Sequence, residues 1–314
     1  TASSGRPVNV NSLAAIFAKG FLAGLVVCFA LATVYLLSVR TVRKESDMKR
    51  ITSARCINCI PEVVPKKRSN NKKLKLLITN KRIDWGFKQS ILMIQSRLQQ
   101  IMRRTGDKVL LITSTIPAEG KTMTSVNMAL AFAQEGMKVA LLDGDLRKPS
   151  VSELMKLPEG PGLTEYFRGE STPEEIQVVK DGVTFFRAGQ KKGKVSGLID
   201  EEKMNSLLEK LRKEYDVILM DAAPSYVFSD AMILSSYADK VLYVVRVDKA
   251  DAKEIRVGMN SFEEKEKLIG YVINRDTGGY ISQSGYGYGR YGKYQKYRKY
   301  AELDEETMNT EDTL

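Results

Sequence analysis

Thr115-Ile-Pro-Ala-Glu-Gly120-Lys121-Thr122 has the residue types and spacing of a phosphate-binding loop. Backbone N–H groups at the start of a helix point at phosphate oxygens, and a glycine at position 120 lets the chain approach them closely. The Lys121 ammonium would reach the β and γ phosphates, and the Thr122 hydroxyl would ligate Mg2+. The candidate nucleotide contacts are Thr115, Pro117, Ala118, Glu119, Gly120, Lys121, Thr122 and Met123. The loop departs from the usual Walker A pattern at its first position, where Thr115 stands in place of Gly. Two carboxylate sites follow it. Asp143-Gly144-Asp145-Leu146-Arg147 comes directly after an apolar run, and Asp221 comes directly after Val217-Ile-Leu-Met220. Four apolar residues before an Asp is the Walker B arrangement, which puts a carboxylate in the Mg2+ shell. Either site alone reads as a solvated strand end. Three such elements in this order point to ATP and Mg2+.

These residues need a scaffold, and the flanking pattern supplies one. Lys108–Thr115 is short, apolar and β-branched, as a buried strand would be. After the loop, Val126, Ala129, Leu130 and Ala133 recur at helical spacing, and Gly136 suits the end of that helix. Val139–Leu142 reads as the next strand, giving a βαβ unit. Val183–Arg187, Lys240–Val247 and Leu268–Asn274 are further strands, while Glu201–Lys213 and Asp230–Tyr237 are helices. This alternation predicts an α/β P-loop NTPase fold: a doubly wound, mostly parallel sheet with helices on both faces. Carboxylates just past parallel strands would face the crevice where such sheets bind ligands.

The N-terminal region is different in kind. Gly20–Val39 is a charge-free apolar run, long enough for a helix to cross the ~30 Å hydrocarbon core of a bilayer. From Arg40 to Arg82 there are fourteen Lys or Arg against Glu45, Asp47 and Glu62, an excess equal to the whole chain's +11. The remainder is near neutral, which argues against a nucleic-acid partner for the whole protein. The positive-inside rule places everything after Arg40 on the cytoplasmic side of the membrane. The cations would also be drawn to anionic lipids. The expected organisation is an extracytoplasmic stub (1–12), a transmembrane helix (13–39), a basic juxtamembrane linker (40–83), the catalytic domain (84–278) and a tail (279–314). Cys56 and Cys59 form a CxxC, but with no second pair and no histidine they read as incidental.

The sequence resembles the bacterial tyrosine kinases of capsule and exopolysaccharide assembly over roughly Ser12 to Tyr300. ITSTIPAEGKT resembles that family's Walker A, LLDGDLRKPS its specific Walker A′ and VILMDAAP its Walker B. Gly160-Pro-Gly-Leu-Thr-Glu-Tyr166 also matches. The resemblance implies a catalytic set of Lys121, Asp143, Asp145 and Asp221. Asp143 and Asp221 would hold the metal with Thr122, and Asp145 would take the tyrosine proton. It also implies autophosphorylation of the tail cluster, Tyr280, Tyr286, Tyr288, Tyr291, Tyr294, Tyr297 and Tyr300, by a neighbouring subunit of a homo-oligomeric ring. Implied partners are the polysaccharide polymerase and export machinery and a phosphotyrosine phosphatase. The chain would be an adaptor's last span fused to the kinase, with a first span and outer domain before Thr1.

Three departures stand out. Trp85, Lys88 and Ile91 occupy the positions of the family's ring-building Glu-x-x-Arg-x-x-Arg. Walker B ends in Asp221-Ala-Ala-Pro224, and Gln190-Lys-Lys-Gly-Lys-Val-Ser replaces a proline-rich stretch. Two other readings compete. A partitioning-type or division-site ATPase switch would carry an extra lysine early in the loop, where Thr115 and Ile116 stand. A nucleotide-binding chain-length regulator would not need the intact Lys121, Asp143, Asp145 and Asp221.

Overall fold

The computed structural model describes residues 13–38, 41–63, 76–190 and 197–276. The tail tyrosines, Tyr280 to Tyr300, and residues 191–196 lie outside the described residues. The chain divides into two units, 1–40 and 41–314. The first holds one helix, α1 (Leu13–Ser38). Within it Ala15–Val34 has a mean hydropathy of 2.2, so by length and composition it can cross a membrane. Its side chains from Ile16 to Val34 are exposed, and apolar residues lie on all sides, as lipid rather than a protein core would require.

The second unit is built on one sheet. In chain order its elements are α2 (Glu45–Met48), β1 (Cys56–Pro61), α3 (Trp85–Thr105), β2 (Val109–Ser114), α4 (Lys121–Gln134), β3 (Val139–Asp143), α5 (Val151–Met155), α6 (Leu163–Arg168), β4 (Gln177–Lys180), β5 (Val183–Phe186), α7 (Glu201–Glu214), β6 (Val217–Asp221), α8 (Asp230–Tyr237), β7 (Lys240–Arg246), α9 (Ala252–Glu263) and β8 (Leu268–Asp276). The strand order is β1-β8-β7-β2-β6-β3-β5-β4, parallel throughout except for the β4–β5 pair. Side chains alternate across the sheet. Val109 and Leu111 pack on the face covered by α7, α8 and α9, while Leu110 and Ile112 pack on the face covered by α3 and α4. Strands buried on both faces read as continuous apolar runs, which is why β2, β3, β6, β7 and β8 appear in the sequence close to their observed bounds.

The segment 40–83 needs a correction. It is not simply a basic linker. Thr41 bridges Asp251, and β1 pairs with β8 along the sheet edge. Val42, Met48, Ile57, Cys59 and Ile60 are buried, as are Leu77, Ile78 and Ile83. Asn127 of α4 ties residues 76–78 down by accepting from the Ile78 N–H (2.8 Å) and donating to the Leu76 carbonyl (2.8 Å). A charge count misses this because the described cations, such as Arg43, Lys44, Lys49, Arg50 and Arg55, are exposed while apolar residues between them are buried. Pro61, at the end of an edge strand, costs no ladder bond on the open side. The CxxC therefore lies on a structural strand, where burial pushes the Cys59 thiol pKa up. Of the three positions aligned with the ring motif, Ile91 is fully buried in the core that α3 covers.

Gly270 lets β1 dock. Its φ is +151°, and an added Cβ would lie 2.7 Å from the Arg55 carbonyl and 2.8 Å from Ile57 Cδ1. Gly270→Ala is expected to lower stability by about 1–3 kcal/mol, as overpacking does, and to loosen the edge. Alkylation of Cys59, followed by mass spectrometry, should accelerate in the variant; an unchanged rate would show that the edge does not depend on Gly270.

Candidate active site

The phosphate-binding loop joins β2 to α4, at the carboxyl ends of parallel strands. Two residues supply the left-handed conformations the turn needs, Ala118 (φ 68°) and Gly120 (φ 98°). Any Cβ at Gly120 would overlap the Asn274 amide, which itself donates to the Glu119 carbonyl (2.7 Å). The first position needs no such freedom. Thr115 is buried, and its hydroxyl accepts from the Tyr243 hydroxyl (3.2 Å), so a side chain is accommodated where Gly is usual.

Glu119 braces the loop from inside. Its fully buried carboxylate accepts from the backbone N–H of Ile116 (2.8 Å) and of Arg246 on β7 (3.2 Å). Burial raises its pKa to about 7, partly offset by those same N–H groups. A side chain expected to line the nucleotide site is thus turned inward to shape it.

The sheet register brings the chemical groups together. Asp143 of β3 lies opposite Asp221 of β6. Lys121 opens α4 with its ammonium 2.7 Å from Asp145 Oδ2 and 3.5 Å from Asp221 Oδ2. Asp221 accepts from the Thr122 hydroxyl (2.7 Å) and the Ser125 hydroxyl (2.9 Å). Asp143 accepts from the Val151 N–H (3.2 Å), but its Oδ1 is buried with no hydrogen-bond partner. Asp145 accepts from the Lys148 N–H (3.0 Å). Burial works against the Lys121 charge, yet Asp221 and Asp145 outweigh it and hold its pKa above the ordinary value. Burial, and then the Asp221 charge, push Asp143 well above the usual carboxylate range. Burial raises Asp221 too, against the pull of Lys121, Thr122 and Ser125.

This donor set fits a hard divalent cation. Two carboxylates and a hydroxyl are oxygen ligands of the kind Mg2+ takes. The orphaned Asp143 oxygen and the mutual repulsion of Asp143 and Asp221 are what a bound cation would relieve.

The site opens into a cleft of about 670 Å3. Gly120, Lys121 and Thr122 line it, as do Asp145, Arg147, Pro224 and Phe228. Arg147 is fixed by a bidentate pair with Asp230 (2.5 and 3.0 Å), which raises its pKa, and its guanidinium lies 4.5 Å from the centre of the Phe228 ring.

Comparison with known proteins now decides the family. Residues 106–250 match the family described as ParA: NUBPL iron-transfer P-loop NTPase. The chain is 34% identical over 184 residues to tyrosine-protein kinase CpsD of Streptococcus pneumoniae, covering 54% of this chain and 78% of that relative. The chain belongs to the bacterial tyrosine-protein kinases. The kinase domain of Escherichia coli tyrosine kinase ETK superposes with a TM-score of 0.64 at 26% identity, over 70% of this chain and 90% of that one. Tyrosine-protein kinase ptk of Acinetobacter johnsonii is 27% identical over 198 residues, covering 61% of this chain but 27% of the relative, so the chain spans about a quarter of that longer protein.

Within this kinase family fold, Lys121, Thr122, Asp143, Asp145 and Asp221 lie close together. Thr115 and Glu119 lie behind the loop rather than in the cleft, whereas Pro117, Ala118, Gly120 and Met123 line it. Ser125, Asp230 and Phe228 were not predicted. Ser125 carries a signal, being one helical turn after Lys121; Asp230 and Phe228 are positioned by the loop after Walker B and carry none.

Glu119 makes a pH prediction. Its folded pKa of about 7 exceeds the ordinary 4.5, so the folded chain holds the proton longer than the unfolded one. Stability should therefore fall as pH rises from about 4.5 to 7, by roughly 3 kcal/mol at most from this group. Glu119→Gln should flatten that slope in thermal melts between pH 5 and 8, at a cost of about 1 kcal/mol for a weakened hydrogen bond. An unaltered slope would assign it to other groups.

Proposed function

We propose that this protein is a membrane-anchored kinase that transfers phosphate from Mg-ATP to tyrosine hydroxyls, including those of its own C-terminal cluster from Tyr280 to Tyr300. The observation that carries this reading is the 2.7 Å contact of Lys121 with Asp145. A carboxylate beside the phosphate-binding ammonium would be within reach of an acceptor hydroxyl brought up to the terminal phosphate.

The roles divide as follows. Lys121 exchanges its carboxylate partners for the β and γ phosphates. The N–H groups that open α4 hold the same phosphates. Thr122 and Asp221 would hold Mg2+ directly, with Asp143 holding it or its waters. When bound, Mg2+ supplies charge neutralisation across the phosphate oxygens. Asp145 then accepts the phenol proton. Phenol ionises near pH ~10, so Asp145 acts late, in a loose transfer whose rate comes mainly from positioning and charge.

The proposed organisation follows from the same reading. α1 anchors the chain in a bacterial inner or plasma membrane, with the 41–276 unit in the cytoplasm and its basic surface near anionic lipids. Residues 280–300 carry Arg290, Lys293, Lys296, Arg298 and Lys299 and no acid. Each phosphate adds ~−1.5 to −2 charges, so four would reverse the sign of that segment and release it from a neighbour's acidic site. Cycles of phosphorylation within a homo-oligomer, opposed by a phosphatase, would regulate capsular or exopolysaccharide synthesis and export through the polymerase and export machinery.

The test is phosphotyrosine formation by the full chain with Mg-ATP. Lys121→Met should abolish it, and Asp145→Asn should lower its rate by roughly 10²–10⁴-fold. Replacing the seven tail tyrosines by Phe should remove most of the label. Phosphate on Ser or Thr alone, or ATP hydrolysis with no phosphotyrosine, would overturn the assignment.

A further inference from the structure

The wall of the cleft beyond Asp145 is aromatic, and the phosphate chemistry does not use it. Lys121, which anchors the phosphate end, touches Asp145. Two residues on, Arg147 leads away from that point to Phe228. Phe228 is half-buried and lines the same cleft. Its backbone N–H bonds the Pro224 carbonyl (3.0 Å), and the guanidinium over its ring is held by both oxygens of Asp230. The ring is thus backed by a cation that Asp230 holds through two hydrogen bonds. Outside the cleft the same loop continues as an exposed apolar lip, with Tyr226 46%, Val227 45% and, from α8, Ile233 40% exposed.

We infer that Phe228, backed by Arg147 and flanked by the Tyr226–Val227 lip, is the acceptor subsite, the surface on which the tyrosine to be phosphorylated stacks. This rests on the kinase reading and adds the residue that selects an aromatic acceptor. Three observations support it. Phe228 lines the same cleft as Asp145, the proposed proton acceptor, and as Lys121. A fixed ring favours an aromatic partner over the small hydroxyl of Ser or Thr, since aromatic pairs gain free energy beyond area burial. The segment that must reach the site, Gly285-Tyr-Gly-Tyr-Gly-Arg-Tyr291, spaces its rings with glycines. That spacing lets one ring enter the cleft while its neighbour rests on the lip.

The experiment measures acceptor binding apart from turnover. A fluorescein-labelled peptide copying residues 285–296 is titrated into the detergent-solubilised full chain with Mg-ADP, and its Kd is read by anisotropy. Phe228→Leu, which keeps bulk and removes the ring, should weaken peptide binding roughly three- to tenfold. Phe228→Trp should restore it. Nucleotide Kd, read with a fluorescent ADP, should shift by less than about twofold, since the phosphate anchors are untouched. An unchanged peptide Kd in Phe228→Leu would overturn the inference. So would an equal loss of nucleotide affinity, which would mean that the ring stacks on the nucleotide. Because the readout is binding, absence of phosphotyrosine in the wild type would overturn the kinase reading separately.

Discussion

A single buried ammonium organises the centre of this molecule. Lys121 lies in contact with Asp145 and Asp221, with Asp143 close behind. Three carboxylates at the ends of adjacent parallel strands would repel one another in a poorly hydrated pocket. Burial and the Asp221 charge push Asp143 toward its neutral form, and the Lys121 ammonium works against that shift. The lysine therefore has a structural part in the fold: it holds the acidic cluster together. The same arrangement explains why β3 and β6 can end side by side in aspartates.

What surrounds that pair is a set of devices for keeping the loop in shape without a ligand. Glu119 occupies N–H groups within the loop and on β7, Asn274 holds the Glu119 carbonyl, and Tyr243 reaches Thr115. These contacts come from β7 and β8, on the far side of β2 from the aspartates. The loop is thus pinned by one half of the sheet and presents its lysine to the other. On the opposite wall the Arg147–Asp230 pair does similar work, linking the loop after β3 to the start of α8 and setting the Phe228 ring. Preorganisation on both walls suits a reaction in which positioning supplies most of the rate.

Much of this was legible in the sequence, and the parts that were not share a cause. The buried strands β2, β3, β6, β7 and β8 stand out because parallel strands covered on both faces are continuous apolar runs. The Asp143–Asp221 pairing could be anticipated, since both follow such runs directly. β1 could not, because Cys56–Pro61 is short, lies among cations and becomes a strand only by pairing with β8, more than two hundred residues away. β4, half-exposed and antiparallel, is obscure for a similar reason. Glu119 looks like a cleft residue from its position in the loop; the positive φ at Ala118 and Gly120 turns it inward. Phe228 carries no periodic signal, and its role depends on where Arg147 lands.

The central claim is that Lys121 trades carboxylates for phosphates, and a crystal structure with Mg2+ and a non-hydrolysable ATP analogue tests it most directly. The account predicts the Lys121 ammonium on the terminal phosphates and detached from Asp145, with Thr122 and Asp221 at the metal. A Lys121 still bound to Asp145 beside an occupied nucleotide site would contradict it.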